Sequence, residues 1–358
     1  IVGNNITNES VIRSELLIDE GDPFTKLGLD KSIANIQSRN IFKTVVSSVS
    51  NGSKDNLKII DIKVEEKPTG EISAGAGIGT NGGSLAFTVK ENNWLGEGKN
   101  VGFTVDLSSE SLSGTLNYSD PNYDFLGNSL NYYLRNTKNN KPNSGFENTV
   151  FTTGVNTSFE QYKDMYANLG VSATYDDLKT DSGASDSLKK QSGSFNEVAA
   201  DYGFALDKRD RSFMPRDGSI TSFNQTLPIY ADKSFISNRI SSSIYNAFSD
   251  DVIGAAKFHL SSINGLNDDN VRISKRTYMS SQRLRGFEKG KVGPVDGSDH
   301  VGGNYSAAAN FEINLPKLLP ESTNTDIGFF LDFGNVWGVD YDDSIDNSNK
   351  IRSSAGAA

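Results

Sequence analysis

The residues with the clearest capacity for chemistry form one short stretch, Arg283, Leu284, Arg285, Gly286 and Phe287. They lie in a segment, 264–304, that is rich in Gly, Asp and Lys and has neither helical nor strand periodicity. A loop of about that length is usually functional or disordered. Phe287 favours burial, Gly286 permits a positive φ, and the arginines favour carboxylate partners. We therefore expect this loop to fold back onto the rest of the chain.

Two carboxylates that follow the loop, Glu312 and Asp332, are its candidate partners. Each stands between apolar residues that alternate with period two, which is typical of a strand with one apolar face. The alternation places both acids on the opposite, polar face, on strands that follow each other in the chain. A catalytic pair of carboxylates is the alternative use of these residues. Ion pairing with an arginine is the commoner role for such groups.

Other motifs do not support enzymatic chemistry. Gly77, Gly79 and Gly82 match a dinucleotide fingerprint, but the residues that follow, 84–89, predict a strand where the fingerprint needs a helix. No nucleophile-elbow pattern occurs. The chain has no cysteine and two histidines, and its Asp/Asn clusters lack the EF-hand spacing. We expect no enzyme activity, no cofactor and no metal site.

Composition narrows the class of protein further. The 358 residues carry a net charge of −10, which argues against general nucleic-acid binding. Hydrophobic residues make up 35%, and no apolar run reaches the ~18 residues of a membrane helix. The chain does not open with a signal peptide, and both ends resemble cuts in a longer sequence.

The elements that must position the loop fall into two predicted domains. Residues 1–69 predict a small α/β unit in the order helix, helix, strand, strand. Thr7 is the expected N-cap of the first helix, and Leu29, Ile33 and Ile36 have the spacing of an amphipathic second helix. The strands are expected at 44–50 and 57–64, and Ile1 and Val2 as the stub of an earlier strand.

Residues 70–358 predict an antiparallel β array of about fourteen strands, several of them roughly ten residues long. A soluble sandwich or β-helix and a transmembrane β-barrel both fit such alternation. Three features favour the barrel: the number of long strands, the alternation of short and long turns, and aromatic residues near strand ends.

The order of motifs resembles the BamA family, whose members assemble β-barrel proteins in the outer membrane of Gram-negative bacteria. The family pattern on the sixth extracellular loop has Val or Ile where this chain has Leu284. The remaining likeness lies in segments 301–304, 310–316 and 329–337, in the turn motif of 207–210 with 215–218, and in Gly3, Asn4 and 20–22 of the N-terminal unit, which resembles the last POTRA domain. The likeness implies a barrel of about sixteen strands, about fourteen of them present here, truncated at its C-terminus.

The resemblance implies a function and roles for particular residues. The function is insertion and folding of β-barrel proteins into the outer membrane, with the N-terminal domain in the periplasm. Arg285 would meet Glu312 and Asp332 inside the barrel. Gly75, Gly77 and Gly79 on the first barrel strand, 71–80, would weaken a lateral gate between the first and last strands, although glycines there could also serve only barrel curvature.

The implied partners are unfolded outer-membrane protein clients, accessory assembly lipoproteins, periplasmic chaperones and outer-membrane lipid, without nucleic acid. Two other functions stay open from the sequence. One is a related two-partner-type secretion pore that translocates an unfolded client and carries the same loop motif. The other is a passive porin or a soluble β protein.

Overall fold

The computed structural model of the chain describes residues 1–54, 56–79, 82–124, 126–316, 318, 327–342, 345 and 350–357. The chain forms two compact units. One comprises Ile1–Gly75, Ala86–Val105 and Gly114–Leu134, and the other Ala76–Leu85, Asp106–Ser113 and Arg135–Ala358. Because these units divide strands of one sheet between them, the predicted domain boundary between residues 69 and 70 stays a prediction.

The N-terminal residues have the predicted order of helix, helix, strand, strand. The elements are α1 (Glu9–Arg13), α2 (Lys26–Ser38), β1 (Phe42–Asn51) and β2 (Lys58–Glu66), and β1 pairs with β2 antiparallel. Val2 forms a parallel bridge with Lys63, in agreement with its prediction as a strand stub. The buried apolar core consists of Val11, Ile12, Ile36, Ile41, Phe42, Val45, Ile62 and Val64.

The prediction that Thr7 caps the first helix is wrong. The N-cap of α1 is Asn8, whose side chain makes no capping hydrogen bond. Thr7 is 2% exposed, and its hydroxyl accepts a hydrogen bond from Asn93 Nδ2 at 2.9 Å. A buried amide needs a partner, so the tertiary hydrogen bond takes the hydroxyl that a local cap would have used.

The rest of the described chain is dominated by one antiparallel sheet, which confirms the predicted mainly-β class and the count of about fourteen strands. Its 14 strands follow one another in chain order, so the first and the last of them stand at its two ends. The strands are β3 (Gly70–Gly79), β4 (Gly82–Trp94), β5 (Lys99–Ser108), β6 (Ser111–Asp120), β7 (Ser129–Lys141), β8 (Phe146–Tyr162), β9 (Met165–Thr180), β10 (Gly193–Asp207), β11 (Gly218–Ala231), β12 (Phe235–Ser249), β13 (Val252–Gly265), β16 (Tyr305–Leu315), β17 (Ile327–Trp337) and β18 (Arg352–Ala357).

Three details of the sheet bear on the sequence predictions. Thr80, the predicted end of the first strand, lies outside the described residues. The Gly-rich motif leads into the strand β4, as the residues after it predict. The long loop, residues 266–304, carries a small hairpin of β14 (Val295–Asp296) and β15 (Asp299–His300) and an isolated bridge between Thr277 and Gly303. Within the described residues, no helix has the length and apolar character to cross a membrane.

The strands next to the long loop have one exposed apolar face and one face that the loop covers. Phe258, Phe311 and Leu331, on β13, β16 and β17, are each about 40% exposed (42%, 41% and 42%). Asn310 and Asp332, which alternate with them, are buried. We call the second side the loop-covered face. Its polar side chains can bond to residues of the loop and to one another across the strands.

Candidate functional site

The long loop lies on β16 and β17 through a small apolar cluster. Leu284 is fully buried and packs with Met279, Val292 and Val336. Gly286 follows with φ of +83°, a left-handed conformation that suits glycine. Leu284 therefore fixes the depth of the loop tip, and Gly286 allows the chain to turn away directly after Arg285.

Arg285 binds Asp332 through three hydrogen bonds. Its Nε donates to Oδ2 at 2.8 Å and its Nη2 donates to Oδ1 at 2.7 Å, which is a bidentate arrangement. Its backbone N–H also donates to Oδ2 at 3.0 Å. The Asp332 side chain is fully buried. Charge-assisted, bidentate pairs of this kind are among the strongest polar contacts in proteins.

Glu312 completes the charge balance at the same arginine. Its Oε1 lies 2.9 Å from Arg285 Nη2, and its Oε2 accepts from Lys257 Nζ at 2.6 Å. The strand register brings these side chains together, because Lys257 on β13 is opposite Asn310 on β16, and Asn310 is opposite Asp332 on β17. The charges of Lys257, Glu312, Arg285 and Asp332 thus alternate in sign, with the loop residue Arg285 between acids on β16 and β17.

Asn310 and Lys257 are members of the site that sequence reasoning missed. Asn310 Nδ2 donates to Asp332 Oδ1 at 2.7 Å and to the carbonyl oxygen of Arg283 at 2.8 Å. The period-two alternation along each strand could have identified both residues. Asn310 lies on the same strand face as Glu312, and Lys257 lies on the polar face of β13. We call Lys257, Arg285, Asn310, Glu312 and Asp332 the anchor cluster.

The guanidinium of Arg285 is held in its charged form. Side-chain hydrogen bonds to Asp332 raise its pKa above the ordinary arginine value, with the charges of Asp332 and Glu312 adding to the effect. The guanidinium carbon also lies 3.8 Å from the centroid of the Phe330 ring. This geometry immobilises the cation between two carboxylates and so attaches the loop to β16 and β17.

Arg283 is not part of the anchor cluster. Among the described residues its side chain makes no hydrogen bond or ion pair, and burial lowers its pKa together with the nearby charge of Arg239. Its backbone is engaged instead, because its N–H donates to the carbonyl oxygen of Ser280 at 3.1 Å and its carbonyl oxygen accepts from Asn310. The two arginines of the motif therefore differ in what they contact.

The predicted gate glycines lie on β3 at one end of the strand order. Within the described residues, a Cβ built on Gly75 would meet nothing within 4 Å, and one on Gly77 would meet only Ser84 Oγ at 3.1 Å. Gly79 ends the strand. Ile78 between them is 97% exposed. The structure does not bring these glycines to the anchor cluster, and their role in gating stays a prediction.

A second polar site joins the N-terminal residues to the turn after β4, within one compact unit. Besides the bond from Asn93 to Thr7, the backbone N–H of Asn8 donates to the carbonyl oxygen of Gly96 at 2.8 Å. Gly96 has φ of +74°, and a Cβ there would stand 2.2 Å from the Ile6 carbonyl oxygen. We call Thr7, Asn8, Asn93 and Gly96 the hairpin junction.

Comparison with known proteins agrees with this architecture. The Omp85 superfamily domain matches residues 93–358, and the POTRA model, described as a surface antigen variable number repeat, matches residues 1–67. A BamA outer membrane protein assembly factor from Neorickettsia risticii is 27% identical across the full chain. That alignment spans 49% of the relative, so the chain spans about half the length of the curated relatives it matches.

Solved structures show the same fold. The structure of BamA from Haemophilus ducreyi lacking POTRA domains 1–3 superposes with a TM-score of 0.85 at 19% identity, covering 99% of this chain and 76% of that one. CdiB from Acinetobacter baumannii gives 0.60 at 12% identity, covering 98% and 64%. The fold is therefore a mainly-β, Omp85-type β-barrel preceded by a POTRA domain, and the chain belongs to the Omp85 superfamily.

Proposed function

We propose that the chain inserts and folds β-barrel proteins into the outer membrane of Gram-negative bacteria, with its POTRA domain in the periplasm. The observation that carries this proposal is the combination of an Omp85 domain over residues 93–358 with an end strand, β3, whose Ile78 is 97% exposed. An end strand offers unpaired backbone groups to another strand, and such pairing tolerates many client sequences.

The anchor cluster would keep the rest of the sheet in place while β3 accepts a client strand. Arg285 ties the loop tip to β16 and β17, far from β3 in the strand order. The work would come from the folding free energy of the client, with no catalytic residue. Unfolded outer-membrane proteins are the proposed clients, and accessory lipoproteins, periplasmic chaperones and lipid are the proposed partners.

Reconstitution tests the function directly. The full protein is placed in phospholipid vesicles, and several urea-unfolded outer-membrane proteins are diluted into them. Folding is followed by heat-modifiable gel mobility. We expect faster folding of several different clients than in empty vesicles. Equal rates with and without the protein would reject the proposal.

Crosslinking tests the part assigned to β3. A photoreactive residue replaces Ile78 in one variant and Phe329, which is 58% exposed on the interior strand β17, in the control. A client that pairs with the end strand crosslinks at position 78 and not at position 329. Equal crosslinking at both positions would show that clients contact the apolar surface without strand pairing.

The alternative is a two-partner-type secretion pore. The likeness to CdiB is at 12% identity and bears on the fold alone. The same vesicles separate the two functions, since a pore would release one soluble client into the vesicle interior without inserting a barrel into the bilayer.

A further inference from the structure

The long loop is closed at its base by a pair of backbone hydrogen bonds. The N–H of Thr277 donates to the carbonyl oxygen of Gly303 at 2.8 Å, and the N–H of Gly303 donates to the carbonyl oxygen of Thr277 at 3.0 Å. The Thr277 hydroxyl donates to the same Gly303 oxygen at 3.0 Å. The chain therefore enters and leaves residues 278–302 at one point, and we call these residues the lobe.

Asp340, which follows β17, binds both limbs of the loop beside this pair. Its Oδ2 accepts from the Val271 backbone N–H at 3.0 Å and from Asn304 Nδ2 at 2.9 Å. Its Oδ1 accepts from Arg276 Nη2. Val271 and Arg276 precede the lobe and Asn304 follows it, so one carboxylate joins the two limbs. We call Arg276, Thr277, Gly303, Asn304 and Asp340 the neck.

Two further ion pairs fix the limb that precedes the lobe. Arg272 Nη2 donates to Asp176 Oδ2 at 3.1 Å, and Lys275 Nζ donates to Glu197 Oε2. The two acids lie on β9 and β10, which β11, β12 and β13 separate from β16 in the strand order. The base of the lobe is therefore attached to strands that take no part in the anchor cluster.

The tip of the lobe is held to the sheet mainly through one cation. Arg285 makes both ion pairs that the described structure shows between the tip and the strands β16 and β17. Two other polar contacts of the tip, from Asn143 to Glu288 at 2.9 Å and between Lys289 and Glu110 at 3.6 Å, involve partly exposed side chains. Exposed contacts of this kind contribute little. Loss of the Arg285 pairs would therefore remove the main polar attachment of the tip and leave the neck intact.

The lobe also has hydrogen bonds of its own. The N–H of Gly290 donates to the carbonyl oxygen of Met279 at 3.2 Å, and the N–H of Leu284 donates to the carbonyl oxygen of Ser280 at 3.1 Å. Both bonds lie within the lobe, so they do not depend on its contact with β16 and β17.

We propose that the loop is a latch with a fixed base and a releasable tip. Asp340 is the positioning residue that holds the neck closed, and Arg285 is the contact that docks and releases. While the neck stays closed, a released tip remains near its partners, so docking again is an intramolecular step at high effective concentration. The proposal rests on contacts of the loop and holds for an assembly factor and for a secretion pore alike.

Hydrogen–deuterium exchange of the detergent-solubilised full chain, read by mass spectrometry, tests the latch. Peptides over 280–290 report on the tip, peptides over 271–277 and 300–304 on the neck, and peptides from β8 and β9 on the sheet. In Arg285→Ala we expect exchange at the tip to rise about tenfold or more, and exchange at the neck to change by less than about twofold.

Equal rises at the tip and the neck in Arg285→Ala would show that the loop detaches as one piece, and the latch would be rejected. Arg285→Lys keeps the charge and loses the bidentate geometry. It should give the same pattern with a smaller rise at the tip, and it keeps the test valid if Arg285→Ala does not fold.

Asp340→Asn tests the role of the carboxylate at the neck. The amide keeps the shape of the side chain but replaces one accepting oxygen with a donor, so it cannot serve Val271, Arg276 and Asn304 together. We expect exchange at the neck to rise about tenfold, while exchange in the sheet stays as in the wild type.

Asp268→Asn is the matched control, because it removes the same charge from an exposed position of the same loop. It should exchange as the wild type does. The role of Asp340 would be overturned by unchanged exchange at the neck in Asp340→Asn, by an equal rise in Asp268→Asn, or by an equal rise in the sheet, which would mean a general loss of stability.

Discussion

The anchor cluster and the hairpin junction fasten two parts of the chain by different means. The anchor cluster places the charge of Arg285 on a fully buried carboxylate, Asp332. The hairpin junction uses neutral groups, with an amide donating to a hydroxyl and a backbone N–H donating to a carbonyl oxygen beside Gly96. Removing the partner of a buried charge costs much stability, whereas removing a neutral hydrogen bond costs less. The difference predicts a graded series of effects.

The largest effect is expected from Arg285→Ala. The change leaves Asn310 as the remaining side-chain donor to the buried Asp332 carboxylate. Leaving a buried charge without its ion partner costs about 3–5 kcal/mol of stability. Chemical unfolding in detergent, with heat-modifiable gel mobility, measures the loss. Arg283→Ala is the matched control, because the Arg283 side chain has no described partner. If both variants lost equal stability, the anchor cluster would not be the source of the difference.

A smaller loss is expected from Gly96→Ala. The left-handed φ and the Ile6 carbonyl oxygen at 2.2 Å from the added Cβ together cost about 2–3 kcal/mol. Limited proteolysis should release the N-terminal residues sooner. Gly114→Ala is the control, because a Cβ there meets nothing within 4 Å in the described structure. Identical cleavage of the two variants would show that Gly96 does not help to hold the N-terminal residues in place.

Thr7→Val should cost less again, about 1–2 kcal/mol, because it leaves the buried Asn93 amide without its acceptor while keeping the volume of the side chain. Thr7→Ser retains the hydroxyl and should recover most of the loss. Unfolding free energies of the three proteins make the comparison. A serine variant as unstable as the valine variant would point to lost packing and not to the hydrogen bond.

The smallest effect is expected from pH at Glu66. Burial opposes its ionisation, but hydrogen bonds from Thr7, Ile6 and Asn5 outweigh burial and lower its pKa. Because the pKa of Glu66 is lower in the folded state, its ionisation stabilises the fold at pH values above the pKa in the unfolded chain, about 4.3. That stabilisation is lost as the pH falls through the pKa of the folded state. Unfolding titrations of wild type and Glu66→Gln should converge at low pH. Parallel curves would exclude this linkage.

The same contrast explains what the sequence could predict. The approximate number of strands and the candidate partners of Arg285 are predictable because charge and period-two alternation are visible in a single chain. Asn310 was missed because an asparagine on a polar strand face looks like any other polar residue there. Its role as a donor to Asp332 depends on the register of β16 and β17, which no local sequence pattern encodes.

The hairpin junction was not predicted at all. Its contacts join residues that are distant in sequence, such as Thr7 and Asn93, through neutral or backbone groups. The local sequence around Thr7 predicts a helix cap, and it carries no sign that the Thr7 hydroxyl accepts a hydrogen bond from Asn93. Residue type along a strand indicates which side chains share its apolar face. The close approach of another backbone segment to a glycine, as at Gly96, depends on the path of that segment in the fold.

The chain order of the anchor cluster has a consequence for biogenesis. Arg285 precedes its partner Asp332 by 47 positions, so the bidentate pair cannot form until β17 has been synthesised and aligned with β16. Until then Arg285 lacks its bidentate partner and can pair only with Glu312 on β16. Docking of the loop would therefore act as a checkpoint in maturation, because it reports that the strands behind it are already in register.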